Sequence, residues 1–219
     1  LVAMGSLGYV GQSFCYFAAL QHATAGLTAL LLYLYPAIVT VLAAVLARRR
    51  LSLLRLLAVL AALVGTGLAI GGSLAGSPLG ILLGVAAAMI YSIYILVGER
   101  VTPLAGAMPS STVIMLAAAA VFGLMAFSQG AALPASPVAW AAIGGIALLS
   151  TVVAMITFFA GMARLGAADA ATLSTLEPLV TVILAAVFLG EQVGGWQLAG
   201  GAIILAAVIV LARSQPATQ

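Results

Sequence analysis

Long apolar runs alternate with brief polar breaks along the whole chain. Eight runs reach span length: about 1–20, 25–47, 51–70, 78–98, 108–128, 138–162, 167–189 and 195–212. Each is bounded by Gly, Pro, Ser or Arg. Crossing a bilayer takes roughly 20 apolar residues in a helix, so each run predicts a transmembrane helix. The breaks are short, so neighbouring spans run antiparallel. Period-two alternation, the mark of a membrane β-barrel, is absent. No stretch reads as a soluble domain or linker. No basic segment precedes the first run, which is too long for the core of a cleavable signal peptide. The chain opens at Leu1, already inside an apolar run, and this suggests a fragment of a longer protein.

Composition narrows the class. Of 219 residues, 65% are hydrophobic and 5% charged, against about 25% charged in a soluble domain. Eleven formal charges could not cover the surface of a soluble globule. A net charge of +3 makes no basic face for nucleic acid, and the hydrophobicity excludes disorder. Cys15 is the single cysteine, which excludes a disulfide framework and a cysteine metal cluster. The class that remains is an all-α integral membrane protein.

The arginines orient it. Arg48, Arg49, Arg50 and Arg55 flank the break between the second and third spans. If that break is cytoplasmic, alternation places Arg100, Arg164 and Arg213 on the same side, as the positive-inside rule requires. His22 and Glu191 fall on the other side. Trp140 and Trp196 open two spans at that second interface, where aromatic belts form.

The chain also repeats itself. YFAALQHATAGLTALLLYLYPAIVTVLAAVLARRR, from Tyr16, aligns without gaps on FFAGMARLGAADAATLSTLEPLVTVILAAVFLGEQ, from Phe158. Pro36 falls on Pro178, and the run Leu42 to Val45 falls on the identical run Leu184 to Val187. An odd number of spans separates the copies, so they face opposite ways across the membrane. The arginines ending the first copy and Gly190, Glu191 and Gln192 ending the second agree with that inversion. Inverted repeats are a mark of secondary transporters. On this reading residues 1–72 are the last three helices of a first repeat, residues 77–213 are a second repeat of five helices, and 214–219 are a cytoplasmic tail. The expected whole is a ten-helix inverted-repeat fold with eight transmembrane helices present and both termini cytoplasmic. Roughly 65 residues holding two further spans would precede Leu1.

At this point the sequence resembles the EamA domains of the drug/metabolite transporter superfamily. The resemblance rests on ATLSTLEPLVTVILAAVFLGEQVGGWQLAGGAIILAAVIVLA, with its Glu177-Pro178 and Gly190-Glu191 pairs and the glycines 194, 195, 200 and 201. It covers essentially the whole chain. The first repeat departs from the pattern: Tyr35 stands where Glu177 stands, and Arg48-Arg49 replace Gly-Glu. The resemblance implies an exporter of amino acids or other small metabolites in a bacterial inner membrane.

Glu177 is the outstanding candidate residue, because a charge in mid-span costs about 2.5–3.5 kcal/mol on insertion scales. Pro178 cannot donate to the carbonyl of Ser174, and Ser174, Glu177 and Thr181 form one polar stripe. Two readings stand: a cavity-lining carboxylate for a substrate amine or a proton, or a neutral side chain bonded to freed backbone. Tyr9, Gln12 and Tyr16 share one helical face, Tyr91 and Tyr94 another, and Tyr35 is the repeat counterpart of Glu177. Ser150, Thr151 and Thr157 add hydroxyls. Together they suit a cavity for a flat or zwitterionic metabolite, although each could equally bridge helices. Pro36 and Pro178 are expected to kink matched helices, either as a hinge or broken helix at the transport site or as a static bend. Gly80, Gly84, Gly194 and the last span's glycines suit close helix packing. Glu99, Arg100, Arg164 and Asp169 are expected at interfaces, solvated or paired. His22 has no partners for a metal.

No intramembrane catalytic constellation is present: no HExxH, no paired aspartates, no Ser with His. Channels usually draw filters or charged rings from oligomers. An intramembrane enzyme, or a channel-like or scaffold membrane protein, stays open as the alternative to a secondary transporter. The expected partners are a small-molecule substrate and membrane lipids, with no nucleic acid, in a monomer or homodimer. No cofactor and no metal are expected.

Overall fold

The structure is a computed structural model and describes residues 1–48, 52–70, 75–130, 134–189 and 194–213. Arg49, Arg50, Gly190, Glu191 and Gln192, and the side chains of Thr181 and Arg213, lie outside what is described. The described residues are almost entirely helical, with one isolated antiparallel bridge between Ala23 and Gly76.

The helices are α1 (Val10–Leu20), α2 (Ala25–Leu32), α3 (Tyr35–Leu46), α4 (Leu53–Ile70), α5 (Pro78–Ala105), α6 (Ala107–Ser128), α7 (Pro137–Gly145), α8 (Ala154–Leu165), α9 (Ala167–Leu173), α10 (Glu177–Leu189) and α11 (Gly195–Arg213). Two π-helical stretches, Met4–Tyr9 and Ile146–Val153, lead into α1 and α8, and a 3₁₀ turn at Ser174–Leu176 joins α9 to α10. Among the described residues, five stretches are long and apolar enough to cross a membrane: Ala25–Leu46, Leu53–Ile70, Pro78–Ala105, Ala107–Ser128 and Pro137–Leu165.

Sequence chemistry sets the boundaries. Thr24, Ser77 and Ser136 cap α2, α5 and α7 by accepting from the N–H groups of Leu27, Gly80 and Ala139. Each hydroxyl satisfies a donor that has no partner within its own helix. Pro78 and Pro137 follow as first residues, where the missing N–H costs nothing. At Gly106 and Gly166 φ is +86°, which ends α5 and α8 in a conformation that side chains with a Cβ disfavour.

One expectation is corrected. The span expected to stop near residue 98 continues to Ala105, with Glu99 and Arg100 inside the helix. Glu99 has a partner there, which keeps that helical end folded. At Pro36 and Pro178 the helices are broken, one of the expected alternatives. The two prolines stand second in α3 and α10, which begin afresh after interruptions at Tyr33–Leu34 and Ser174–Leu176. Their rings block the helical bond, and the chain restarts with proline in the first turn.

Element starts recur 142 residues apart, the spacing of Pro36 and Pro178. Met4 matches Ile146, Ala25 matches Ala167, Tyr35 matches Glu177, and Leu53 matches Gly195. α4 packs directly against α11. A Cβ on Gly200 would lie 2.5 Å from the Gly65 carbonyl oxygen, so glycine lets the backbones meet. The repeat counterparts of these two, Ala58 and Ala207, are also small and buried.

The outer surface is apolar: Leu7, Phe127, Val138 and Phe188 are 73%, 87%, 79% and 77% exposed. Hydroxyls point inward instead, with Thr28, Thr66, Ser92 and Ser110 fully buried. That is the distribution of a protein whose solvent is lipid.

One end of the bundle is tied by polar contacts. Glu99 Oε1 accepts from the Ala167 N–H at 2.7 Å, so α5 caps α9. Asp169, buried in the first turn of α9, pairs with Arg55 of α4 at 3.6 Å. At the other end, the N–H groups of Thr24 and Ser77 donate to the carbonyls of Ala75 and His22, each at 2.8 Å.

Candidate functional site

The helix interruptions meet a single open cavity of about 1040 Å³. This is the upper end of the usual size for small-molecule sites, about 300–1000 Å³. Its wall is drawn from α1, α2, α3, α4, α5, α8, α9, α10 and α11, and both π-helical stretches contribute to it, through Tyr9 and through Ser150 and Thr151. Irregular backbone at membrane depth is tolerated where it lines a cavity.

The cavity brings together nearly all the residues singled out from sequence. Tyr9, Gln12, Tyr16, Tyr35, Tyr91, Tyr94, Ser150, Thr157, Ser174 and Glu177 line it, and so does Pro178. Pro36 is buried but does not line it. Thr157 is engaged locally, donating to the carbonyls of Val153 and Ala154 at 2.8 and 3.0 Å.

Glu177 opens α10 and is exposed to the cavity. The Ser174 carbonyl is not left without a partner, contrary to expectation. It accepts from the Glu177 N–H through the 3₁₀ turn, so that backbone makes no demand on the carboxylate. The Tyr33 hydroxyl lies beside the carboxylate, close enough to be electrostatically coupled to it. Tyr16, Tyr35 and Tyr91 also lie within its electrostatic reach.

An aromatic wall continues from that contact. Ring centroids are 6.3 Å apart for Tyr33 and Tyr35, 4.8 Å for Tyr35 and Tyr91, 5.9 Å for Tyr91 and Tyr94, and 6.0 Å for Tyr94 and Phe159. Tyr35 meets Tyr91 edge to face, a geometry favoured by the ring quadrupoles. Tyr35 is anchored through its backbone, where Ser92 donates to its carbonyl at 3.4 Å, and Ser174 lies beside its side chain.

Sequence reading missed Tyr33, Phe158, Phe159 and Ser92. In an unbroken helix, residues two apart point to different sides, so Tyr33 and Tyr35 would not share a face. The interruption at Tyr33–Leu34 brings them together. A proline one residue past a Tyr-x-Tyr is the signal that could have found Tyr33.

Five pairs of cavity residues are related by the 142-residue offset: Tyr9 and Thr151, Gln12 and Ala154, Tyr16 and Phe158, Leu32 and Ser174, Tyr35 and Glu177. The two halves of the repeat therefore face one space with different chemistry. At these pairs the first half supplies the phenols of Tyr9, Tyr16 and Tyr35 and the second supplies a carboxylate and small hydroxyls, while Tyr91 and Tyr94 add phenols from the second half.

An apolar helical bundle with an internal repeat and a cavity lined by aromatic and hydroxyl residues and one carboxylate defines a polytopic integral membrane protein. The chain belongs to the EamA-like transporter family, which matches residues 1–71 and 78–213. It is 29% identical over 194 residues to the uncharacterized transporter YcbK of Bacillus subtilis (strain 168). That alignment covers 84% of this chain and 62% of the relative, so the chain spans less than two thirds of that relative's length. A solved crystal structure matches the fold with a TM-score of 0.83 at 24% identity, over 97% of this chain and 75% of the other.

Proposed function

We propose that this chain carries the substrate site of a secondary transporter that exports small metabolites, amino acids among them, by alternating access. The observation that carries this reading is the set of repeat-related pairs lining one cavity. A cavity between two like units can be exposed to either side by rocking one unit against the other. The broken helices at Tyr33–Leu34 and Ser174–Leu176 provide matched hinge points beside the carboxylate.

The two units are proposed to be inverted, within a ten-helix fold in a bacterial inner membrane with both termini cytoplasmic. Packing supports the helix number. The first π-helical stretch packs against α5 and α6, whereas its counterpart Ile146–Val153 has no buried residue. Two helices placed there as α5 and α6 are placed on the first would complete the symmetry.

Proteoliposomes bearing the full-length protein, assayed against a panel of amino acids and other metabolites, test the proposal. Saturable flux that is lost in Glu177→Ala is the expected result. Flux of no solute, or flux indifferent to both Glu177→Ala and Glu177→Gln, overturns it.

A further inference from the structure

We infer that α9 gates the cavity at its Arg55 end, and that the Asp169–Arg55 pair and the Glu99 cap on Ala167 are the latch that holds this gate shut. The inference rests on the transport-site reading and assigns gating residues to that site. Ala170 and Leu173 line the cavity. Asp169, the neighbour of Ala170, is turned instead to α4, and the Ala167 N–H to α5. About one turn of helix therefore separates the cavity from the polar contacts at that end of the bundle.

The segment is built to move as a piece. It is 7 residues long and lies between Gly166, at φ +86°, and the 3₁₀ turn Ser174–Leu176, so it is continuous with neither α8 nor α10. It presents Ala167, Ala170 and Ala171 to the apolar core, and an alanine side chain buries little apolar area. Burial therefore holds α9 weakly, and the two polar contacts carry a large share of its attachment. Both run through a carboxylate, the stronger kind of hydrogen-bond partner. The Arg55 side chain is 33% exposed and that of Asp169 10%, so water is at hand to take up the guanidinium when the pair parts.

The internal repeat assigns the ion pair to one end. At the 142-residue offset Arg55 corresponds to Gln197 and Asp169 to Leu27. Those two residues cannot form an ion pair with each other. Gln197 lines the cavity, and its Oε1 accepts from the Gly194 N–H at 2.7 Å. The start of α2, the counterpart of α9, is held through backbone, with the Thr24 N–H donating to the Ala75 carbonyl at 2.8 Å. Two units that share a fold but not a latch have open states of unequal energy. A contact made in one state shifts the balance towards that state. Arg55, Glu99 and Asp169 therefore bias the protein towards closure at the Arg55 end.

Accessibility of a cavity cysteine tests the gate. Ser174→Cys, in the full-length protein with Cys15→Ala, is treated with a membrane-impermeant maleimide in membrane vesicles of each orientation. In this background Arg55→Gln and Glu99→Ala are each expected to speed labelling from the Arg55 face by at least about threefold, the order by which loss of a partly exposed pair shifts an equilibrium. Glu99→Gln keeps an acceptor for the Ala167 N–H and should label nearly as slowly as the parent. The rate from the other face should not rise. An unchanged rate from the Arg55 face in either Arg55→Gln or Glu99→Ala overturns the inference. So does a rise from both faces alike, the sign of general loosening, or from the other face alone. Solute flux in vesicles of the unsubstituted protein separates the two readings. Latch-dependent labelling without flux of any solute leaves the gate standing and removes the transporter. Flux of a solute with labelling indifferent to the latch does the reverse.

Discussion

The Tyr33 hydroxyl and the Glu177 carboxylate lie beside each other across the repeat, from the break after α2 to the start of α10. Because Glu177 faces the cavity, its replacement should cost little stability, within about 0.5 kcal/mol as for most exposed positions. Glu177→Gln is therefore expected to melt near the wild-type temperature while losing most flux, a separation that scanning fluorimetry and liposome assays would read. Tyr94 supplies the contrast. Its hydroxyl is buried with no hydrogen-bond partner among the described residues, and such a group costs about 1–3 kcal/mol. Tyr94→Phe is expected to leave the melting temperature unchanged or raise it. A clear drop would show that the hydroxyl is satisfied in the folded protein. The candidate site was legible where it depended on residue type: a mid-span acid and tyrosines in an apolar chain have few other uses. Tyr33 was not legible, because its direction depends on a local break that ordinary helical spacing conceals.

Helix boundaries were the most readable level, and the reason is local chemistry. Ser and Thr caps, prolines in first turns and glycines at positive φ act within a few residues of where they stand. The overlong α5 was harder to read, since Glu99 is held in the helix by a partner far along the chain. Packing between elements was readable only in outline. The last span's glycines announced close approach, but their partner, α4, is distant in sequence. At that crossing any side chain on Gly200 meets the backbone of Gly65, Leu68 and Ala69. Gly200→Leu should therefore force α4 and α11 apart, destabilising the protein by about 1–3 kcal/mol or more, whereas Gly195→Leu, at a position with open space around it, should not. Thermal melting of the two variants in one detergent checks the difference. Equal melting temperatures would mean that the crossing does not support the fold.

At the scale of the whole molecule, the polar contacts divide into two sets that lie at opposite ends. Arg55, Glu99, Asp169 and the turn at Gly166 gather at one end. His22, Thr24, Ala75 and Ser77 gather at the other. Arg100 and Arg164, both exposed, neighbour the first set in sequence through Glu99 and Gly166. Arginine is retained on the cytoplasmic side during insertion, so the first end is expected to face the cytoplasm and the His22 end the opposite compartment. Orientation matters for function, because the Asp169 and Glu99 contacts hold the start of α9 closed against α4 and α5 at one face only. An alternating-access cycle would have to release them when the cavity opens to that side. Single cysteines at His22 and at Arg100, in a Cys15→Ala background, make the orientation measurable in intact cells with a membrane-impermeant maleimide. His22→Cys is expected to label and Arg100→Cys to stay protected until the membrane is permeabilised. Labelling of both from outside, or of Arg100→Cys alone, would reverse or remove the assigned topology, and with it the side on which the α9 contacts act.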